Sequence, residues 1–263
     1  MWKIYDDLIK GIPKELLVDE VICGKEYCAV RSGNSVGMSA SRTPTSRTAI
    51  FTKNMIGAPL VEVAECIKSW NFVESATGLA AINTYYNSPQ IARGNGVSFS
   101  DGMRVEDRIF DPFIMSLNEV RGKKVAVVGH FPHLERLLEP ICDFSIIEWT
   151  PKEGDFPISA AEYILPECEY VYVSNACLVH KTLPRLLELS QNAARITMVG
   201  PGTPLAPVLF EYGFATLSGF MIKDHLRMLR IIAGAENVKI YVTGQKVAYH
   251  RGDANDVKGE GQK

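Results

Sequence analysis

The chain has 263 residues, 46% of them apolar and 22% charged, with a formal net charge of −2. That length allows one large domain or two of ordinary size, with a substantial buried core. The near-neutral charge excludes a broad nucleic-acid surface, and no apolar run approaches the roughly 20 residues of a membrane span. The opening residues, Met1 to Asp7, carry acids where a secretion signal needs a basic and then an apolar run, so a cytoplasmic protein is expected. The six cysteines are scattered with no C-x-x-C pair, and reduced thiols acting mostly as small core residues are expected.

In chain order, Val18–Cys23 and Tyr27–Arg31 flank Gly24-Lys25-Glu26, the pattern of a β-hairpin, with a third short strand near Val36–Ser39. Helical patterns follow at 59–69 and 73–86, the second with Leu79, Ile82 and Tyr86 on one face. Its small-residue run, Ser75 to Ala81, suits close approach to another backbone, at a domain interface or in plain core packing. The stretch 87–110 is polar and turn-rich, and 111–122 predicts a short helix. Strands followed by helices make residues 1–110 an α+β domain. Between Glu26 and Glu62 lie no acids but Arg31, Arg42, Arg47 and Lys53. Arg42 and Arg47 are candidate contacts for an anionic substrate, the alternative being solvated arginines in a polar loop.

Residues 111–250 alternate strand, loop and helix, the grammar of a Rossmann-like, doubly wound parallel sheet. Strands are predicted at 124–128, 143–148, 170–174, 195–199, 214–218 and 238–243. Helix starts are predicted from Ser159 with Glu162 as a capping box, Thr203 before Pro204, Thr182, and Asp224. The tail 251–263 has the composition of a disordered segment.

Ligands of such sheets bind beyond the carboxyl ends of the strands. That rule selects the loops at Gly129-His130-Phe131-Pro132, Glu148-Trp149-Thr150, Ser174-Asn175-Ala176-Cys177, Gly200-Pro201-Gly202-Thr203 and Ser218-Gly219-Phe220. Gly129 ends a β-branched run, and Glu148 lies nineteen residues on, near the distance at which a dinucleotide fold grips a ribose. Only one glycine of the full G-x-G-x-x-G fingerprint is present, which counts against a standard NAD site. Gly200 and Gly202 permit close backbone approach, with Thr203 behind them, or they make an ordinary strand-to-helix connection. Asn175 can donate to and accept from a ligand, or tie its own loop. Glu148 contacts a ligand hydroxyl or caps a loop. His130 is the candidate acid–base residue, the alternative being a packed loop histidine. His130, Cys177 and His180 together are a candidate soft-metal site, although a pair without a confirmed third ligand is weak. No G-x-S-x-G, G-x-x-x-x-G-K-[ST] or H-E-x-x-H motif is present.

The segments Gly33-Asn34-Ser35-Val36-Gly37-Met38, Thr77-Gly78-Leu79-Ala80-Ala81-Ile82-Asn83, Val128-Gly129-His130-Phe131-Pro132, Ser174-Asn175-Ala176 and Gly200-Pro201-Gly202-Thr203-Pro204-Leu205 resemble the heavy-metal chelation family of prokaryotes. The similarity runs over roughly residues 5–245. It implies an N-terminal domain similar to that of enolases, a Rossmann-like domain closer to methyltransferases than to dehydrogenases, a site at their junction, and a link to heavy-metal handling. Three functions are therefore carried forward. One is an enzyme, a transferase or hydrolase, acting on a small anionic or metal-chelating molecule. The second is a non-catalytic binder of a heavy-metal ion or its chelate. The third is a regulatory module responding to a nucleoside ligand such as S-adenosylmethionine. The expected partner is a small molecule, with no nucleic acid or membrane, and a homodimer is allowed.

Overall fold

The computed structural model describes residues 2–41, 45–102 and 110–254. The first half opens with α1 (Lys3–Lys10), then β1 (Glu20–Cys23), β2 (Tyr27–Ser32) and β3 (Ser35–Ala40). The three strands form an antiparallel sheet in the order β1-β2-β3. Then come α2 (Leu60–Ala64), running into a 3₁₀ turn at Glu65–Lys68, α3 (Phe72–Tyr86) and α4 (Pro89–Gly94). The hairpin, the third strand and both main helices are where the sequence predicts them. The helix α4 lies inside the stretch read as turns.

The central helix α3 starts at Asn71, whose side chain accepts from the amides of Val73 and Glu74. Residues 74–84 of α3 are all buried, so the helix is enclosed on every face rather than amphipathic. Glycine makes this possible. A Cβ on Gly37 of β3 would overlap Thr84 N and Ala80 O of α3, and one on Gly78 would overlap Ile67 N. The Gly37 amide donates to Thr84 Oγ1 at 3.1 Å.

The second half contains α5 (Pro112–Met115), α6 (Leu117–Val120), β4 (Lys124–Val128), α7 (Leu134–Leu138), β5 (Asp143–Glu148) and β6 (Phe156–Pro157). It continues with α8 (Ala161–Ile164), β7 (Tyr170–Ser174), α9 (Ala176–His180), α10 (Leu183–Leu189), β8 (Arg195–Val199), β9 (Phe214–Ile222), α11 (His225–Ile232) and β10 (Gly244–His250). These strands form a seven-stranded sheet in the order β10-β9-β8-β7-β4-β5-β6. All neighbours are parallel except β9 and β10. The fold is thus mixed α/β, with one large parallel-rich sheet and one small antiparallel sheet. The chain steps outward from β4 in one direction to β6, then crosses to β7 and steps outward in the other.

Several local expectations fail for identifiable reasons. Residues 238–243 are not a strand: Ile240–Thr243 is a 3₁₀ turn, and the edge strand is Gly244–His250. The strand predicted at 214–218 runs on to Ile222, so Ser218-Gly219-Phe220 is strand, not loop. Ser159 makes no capping bond, and neither does Thr182. No helix starts at Thr203; the next helical turn is 3₁₀, at Pro207–Tyr212. Asp224 does cap α11, accepting from Arg227 N at 3.0 Å. In the tail, residues 251–254 are helical and Ala254 is buried, while 255–263 lie outside the described residues.

One continuous cluster of buried apolar side chains runs from Ile4 and Tyr5 through Leu79 and Ile82 to Val173, Leu178 and Tyr249. The two halves therefore share a core. Hydrogen bonds cross the same boundary: Tyr5 Oη donates to Leu178 O at 3.2 Å, and Ser75 Oγ donates to Val179 O at 3.3 Å. Among the described residues, no helix is long and apolar enough to cross a membrane.

Candidate functional site

The carboxyl ends of β4, β5, β7 and β8 converge on a cleft of about 230 Å³. Gly129, His130, Phe131, Glu148, Ser174, Asn175, Gly200 and Pro201 line it, and Tyr27 and Ala40 of the small sheet close one side. It lies where the strand order reverses, between β4 and β7, the position at which open α/β sheets leave a crevice. A smaller pocket of about 70 Å³ adjoins it through Phe131, Gly200, Pro201 and Tyr241. An ion pair between Lys246 Nζ and Asp111 Oδ2, 3.0 Å apart, lines that pocket.

Backbone geometry explains the glycines. Gly129 and Gly200 both turn through positive φ, at 116° and 122°. A side chain at Gly129 would press on Ser174 Cβ, and one at Gly200 would overlap Asn175 Nδ2. These positions need glycine to bring adjacent strand ends together, whatever binds above them.

His130 is held on both sides of its ring. Nδ1 lies 3.0 Å from each carboxylate oxygen of Asp155, whose side chain is only 2% exposed. Nε2 lies 3.5 Å from Glu135 Oε1. Asp155 is itself fixed, accepting from Lys152 N at 3.0 Å. A carboxylate behind Nδ1 favours the tautomer with its proton on that nitrogen and leaves Nε2 toward Glu135.

Glu148 closes its own loop. One oxygen accepts from His130 N at 2.8 Å and the other from Trp149 N at 2.6 Å. Asn175 is buried, and its Nδ2 donates to Val199 O at 3.2 Å, tying β7 to β8. Cys177 and His180 line a third pocket of about 20 Å³ together with Gly129, Glu148 and Ser174. His180 packs between Phe72 and Trp149, with ring centroids 5.4 and 5.0 Å away. His130 is not among that pocket's lining residues, and among the described residues no three His, Cys, Asp or Glu side chains are grouped to hold a metal ion.

The loop 200–205 is clamped from behind by α3. Asn83 Nδ2 donates to both Met38 O and Gly202 O, each at 2.8 Å. Asn87 Nδ2 donates to Thr203 O at 3.0 Å while its Oδ1 accepts from Leu205 N at 2.9 Å. Thr203 is fully buried and does not line the cleft; its Oγ1 has no hydrogen-bond partner among the described residues. Arg47 is exposed, away from the cleft, with its carbonyl accepting from Asn71 Nδ2 at 2.9 Å. Arg42 lies outside the described residues.

The structure thus brings together Gly129, His130, Glu148, Asn175 and Gly200 at one cleft and leaves Gly202, Thr203 and Arg47 out of it. Sequence reasoning missed Asp155, Glu135, Tyr27 and Tyr241 as parts of the site. Glu135 was accessible in principle, five residues past His130 at the start of α7, whereas no spacing rule points to Asp155.

Comparison with known proteins agrees with this architecture. A protein of unknown function from the DUF364 family of Desulfitobacterium hafniense is 62% identical, with a TM-score of 0.89 over 95% of this chain and 98% of its own. A second DUF364 protein of unknown function, from Pyrococcus horikoshii, shares the fold at 18% identity, with a TM-score of 0.71 over 94% of this chain and 98% of its own. An uncharacterized protein of Methanocaldococcus jannaschii is 25% identical over 201 residues, covering 73% of this chain and 71% of its own length. Two family models, each described as "Putative heavy-metal chelation", match residues 5–86 and 111–251. The second match alone spans more than half of the chain, and the protein belongs to this heavy-metal chelation family.

Proposed function

We propose that this protein is an enzyme, a transferase or hydrolase, acting on a small anionic or metal-chelating molecule held in the cleft, with His130 as its proton-transfer residue. The observation carrying this is the His130–Asp155 pair at the cleft wall, a histidine oriented by an almost fully buried carboxylate. An orienting carboxylate suits general acid–base chemistry because it fixes the ring's direction and tautomer. The order of the seven strands, with β4 to β9 in the 3-2-1-4-5-6 sequence, supports a Rossmann-like second domain at 111–250. The helix-covered small sheet is compatible with an enolase-N-terminal-like first domain at 1–110. Both Glu148 oxygens already bind backbone amides, which favours a compact ligand over a nucleoside gripped through its ribose.

A second reading, non-catalytic binding of a soft metal ion, is supported by Cys177 and His180 sharing the pocket that adjoins the cleft. Thermal unfolding with citrate, a small anionic chelator, with Ni²⁺, and with both together separates the two. Stabilisation by citrate in the wild type, kept in His130→Ala while consumption of any identified substrate is lost, supports the enzyme. Stabilisation by Ni²⁺ alone, abolished by Cys177→Ala, supports the binder. Substrate turnover unchanged in both His130→Ala and Asp155→Asn removes the proton-transfer role.

A further inference from the structure

At the turn end of the β1–β2 hairpin, Cys23 and Cys28 are direct cross-strand partners. The Gly24 amide donates to Tyr27 O at 2.9 Å in the next register pair, so the cysteines occupy a non-hydrogen-bonded position. Side chains at such a pair project from the same face and approach most closely, with Cα atoms typically about 4.5 Å apart. That separation lies at the short end of the range a disulfide spans. Both sulfurs point at one turn of α3. Cys23 Sγ lies 3.4 Å from Thr77 Oγ1, and Cys28 Sγ lies 3.9 Å from Val73 O. Their exposures are opposite: Cys23 is exposed and Cys28 is fully buried.

We infer that Cys23 and Cys28 are a reversible dithiol–disulfide pair, with Cys23 the residue attacked by small peroxides and Cys28 the residue that resolves the product. The Cys23 thiolate attacks one oxygen of hydrogen peroxide, the O–O bond breaks, and hydroxide leaves, so that Cys23 becomes a sulfenic acid. The Cys28 sulfur then attacks the Cys23 sulfur, the S–O bond breaks, and the Cys28 proton leaves with the hydroxyl as water. Two thiols are oxidised, one peroxide is reduced, and two waters form once the hydroxide is protonated. An external dithiol reverses the bond by exchange. The hydrogen bond from Cys28, with Thr77 beside it, holds the Cys23 thiol below the usual thiol range, which favours the attacking role. Burial instead pushes the Cys142 thiol up to about 11, making it an internal control.

Full-length protein treated with hydrogen peroxide at neutral pH and mapped by mass spectrometry without reduction tests this. The expected product is one linked peptide pair containing Cys23 and Cys28, lighter by two hydrogens and restored by dithiothreitol. Cys23 should be consumed at least about tenfold faster than Cys142, from the difference in thiolate fraction. In Cys28→Ala, dimedone should trap Cys23 as the sulfenic acid and no linked pair should form. Oxidation of Cys23 in the wild type without the link to Cys28, or consumption of Cys142 as fast as Cys23, overturns the inference. Because the wild type carries the decisive measurement, a poorly folded variant leaves the test intact.

Discussion

Asn83 gives the sharpest test of how the site is built, because one amide holds three elements together. Its Nδ2 donates to a carbonyl of β3 and to Gly202 O, while its Oδ1 is buried without a partner among the described residues. Asn83→Asp keeps the shape and replaces the double donor with an acceptor facing two carbonyls. Each carbonyl left without its donor costs about 1–3 kcal/mol, and the buried carboxyl adds more, so a loss of about 3–5 kcal/mol is expected at pH 7. Asn83→Ala loses the same two bonds but adds no buried carboxyl and removes the orphaned oxygen, and should cost less, about 2–4 kcal/mol. Burial against carbonyls raises the carboxyl of the Asp variant on folding. Its deficit is then smallest below the unfolded value of about 3.9 and grows as pH rises, whereas the Ala deficit stays flat. Urea unfolding followed by circular dichroism between acid and neutral pH measures both. An Asp variant within about 0.5 kcal/mol of wild type at pH 7, or more stable than the Ala variant, would refute the donor role.

Further perturbations probe other joints. Gly37→Ala forces a methyl into the α3 backbone and should destabilise by about 1–3 kcal/mol or more, while Gly94→Ala, open to space, should stay within about 0.5 kcal/mol or gain slightly; chemical denaturation compares them. Thr203→Val replaces the unpartnered buried hydroxyl with a methyl and should raise stability by about 1 kcal/mol in the same assay. Burial pushes the Lys181 ammonium down to about 7, although Nζ donates to Ser75 Oγ at 2.6 Å, to Val179 O at 2.8 Å and to Ser69 O. From about pH 7 up to the unfolded value of about 10.4 the unfolded chain holds the extra proton, so this lysine's contribution makes stability rise with pH across that window. The difference between wild type and Lys181→Met should therefore change with pH in that window; parallel stability curves would exclude the buried-lysine argument.

The strands β4, β5, β7 and β8 have the limits that the sequence predicts, most simply in β4 and β7, where an apolar run is buried on both faces. The hairpin is legible for a related reason: Gly24-Lys25-Glu26 supplies turn chemistry between two β-rich runs. Legibility fails where two local solutions compete. Thr203-Pro204 is a sound helix start by local chemistry, yet Asn87 takes the Thr203 carbonyl and the Leu205 amide, and the segment stays non-helical until Pro207. Residues 238–243 alternate like a strand, but β9 pairs with Gly244–His250 instead.

The candidate site divides in the same way. Local sequence was enough to mark Gly129, His130, Glu148, Asn175 and Gly200 as strand-end residues, because the period of the pattern and the sign of φ at a turn are properties of neighbouring residues. What His130 can do was decided elsewhere, by Asp155 arriving from the loop beyond β5. Asn83 and Asn87, more than 110 positions from the loop they hold, are likewise joined to it only by the packing of α3 under the sheet edge. A sequence carries periodicity and turn chemistry within a few residues; partners brought together across the shared core are set by which surfaces bury one another, and only the tertiary structure decides that.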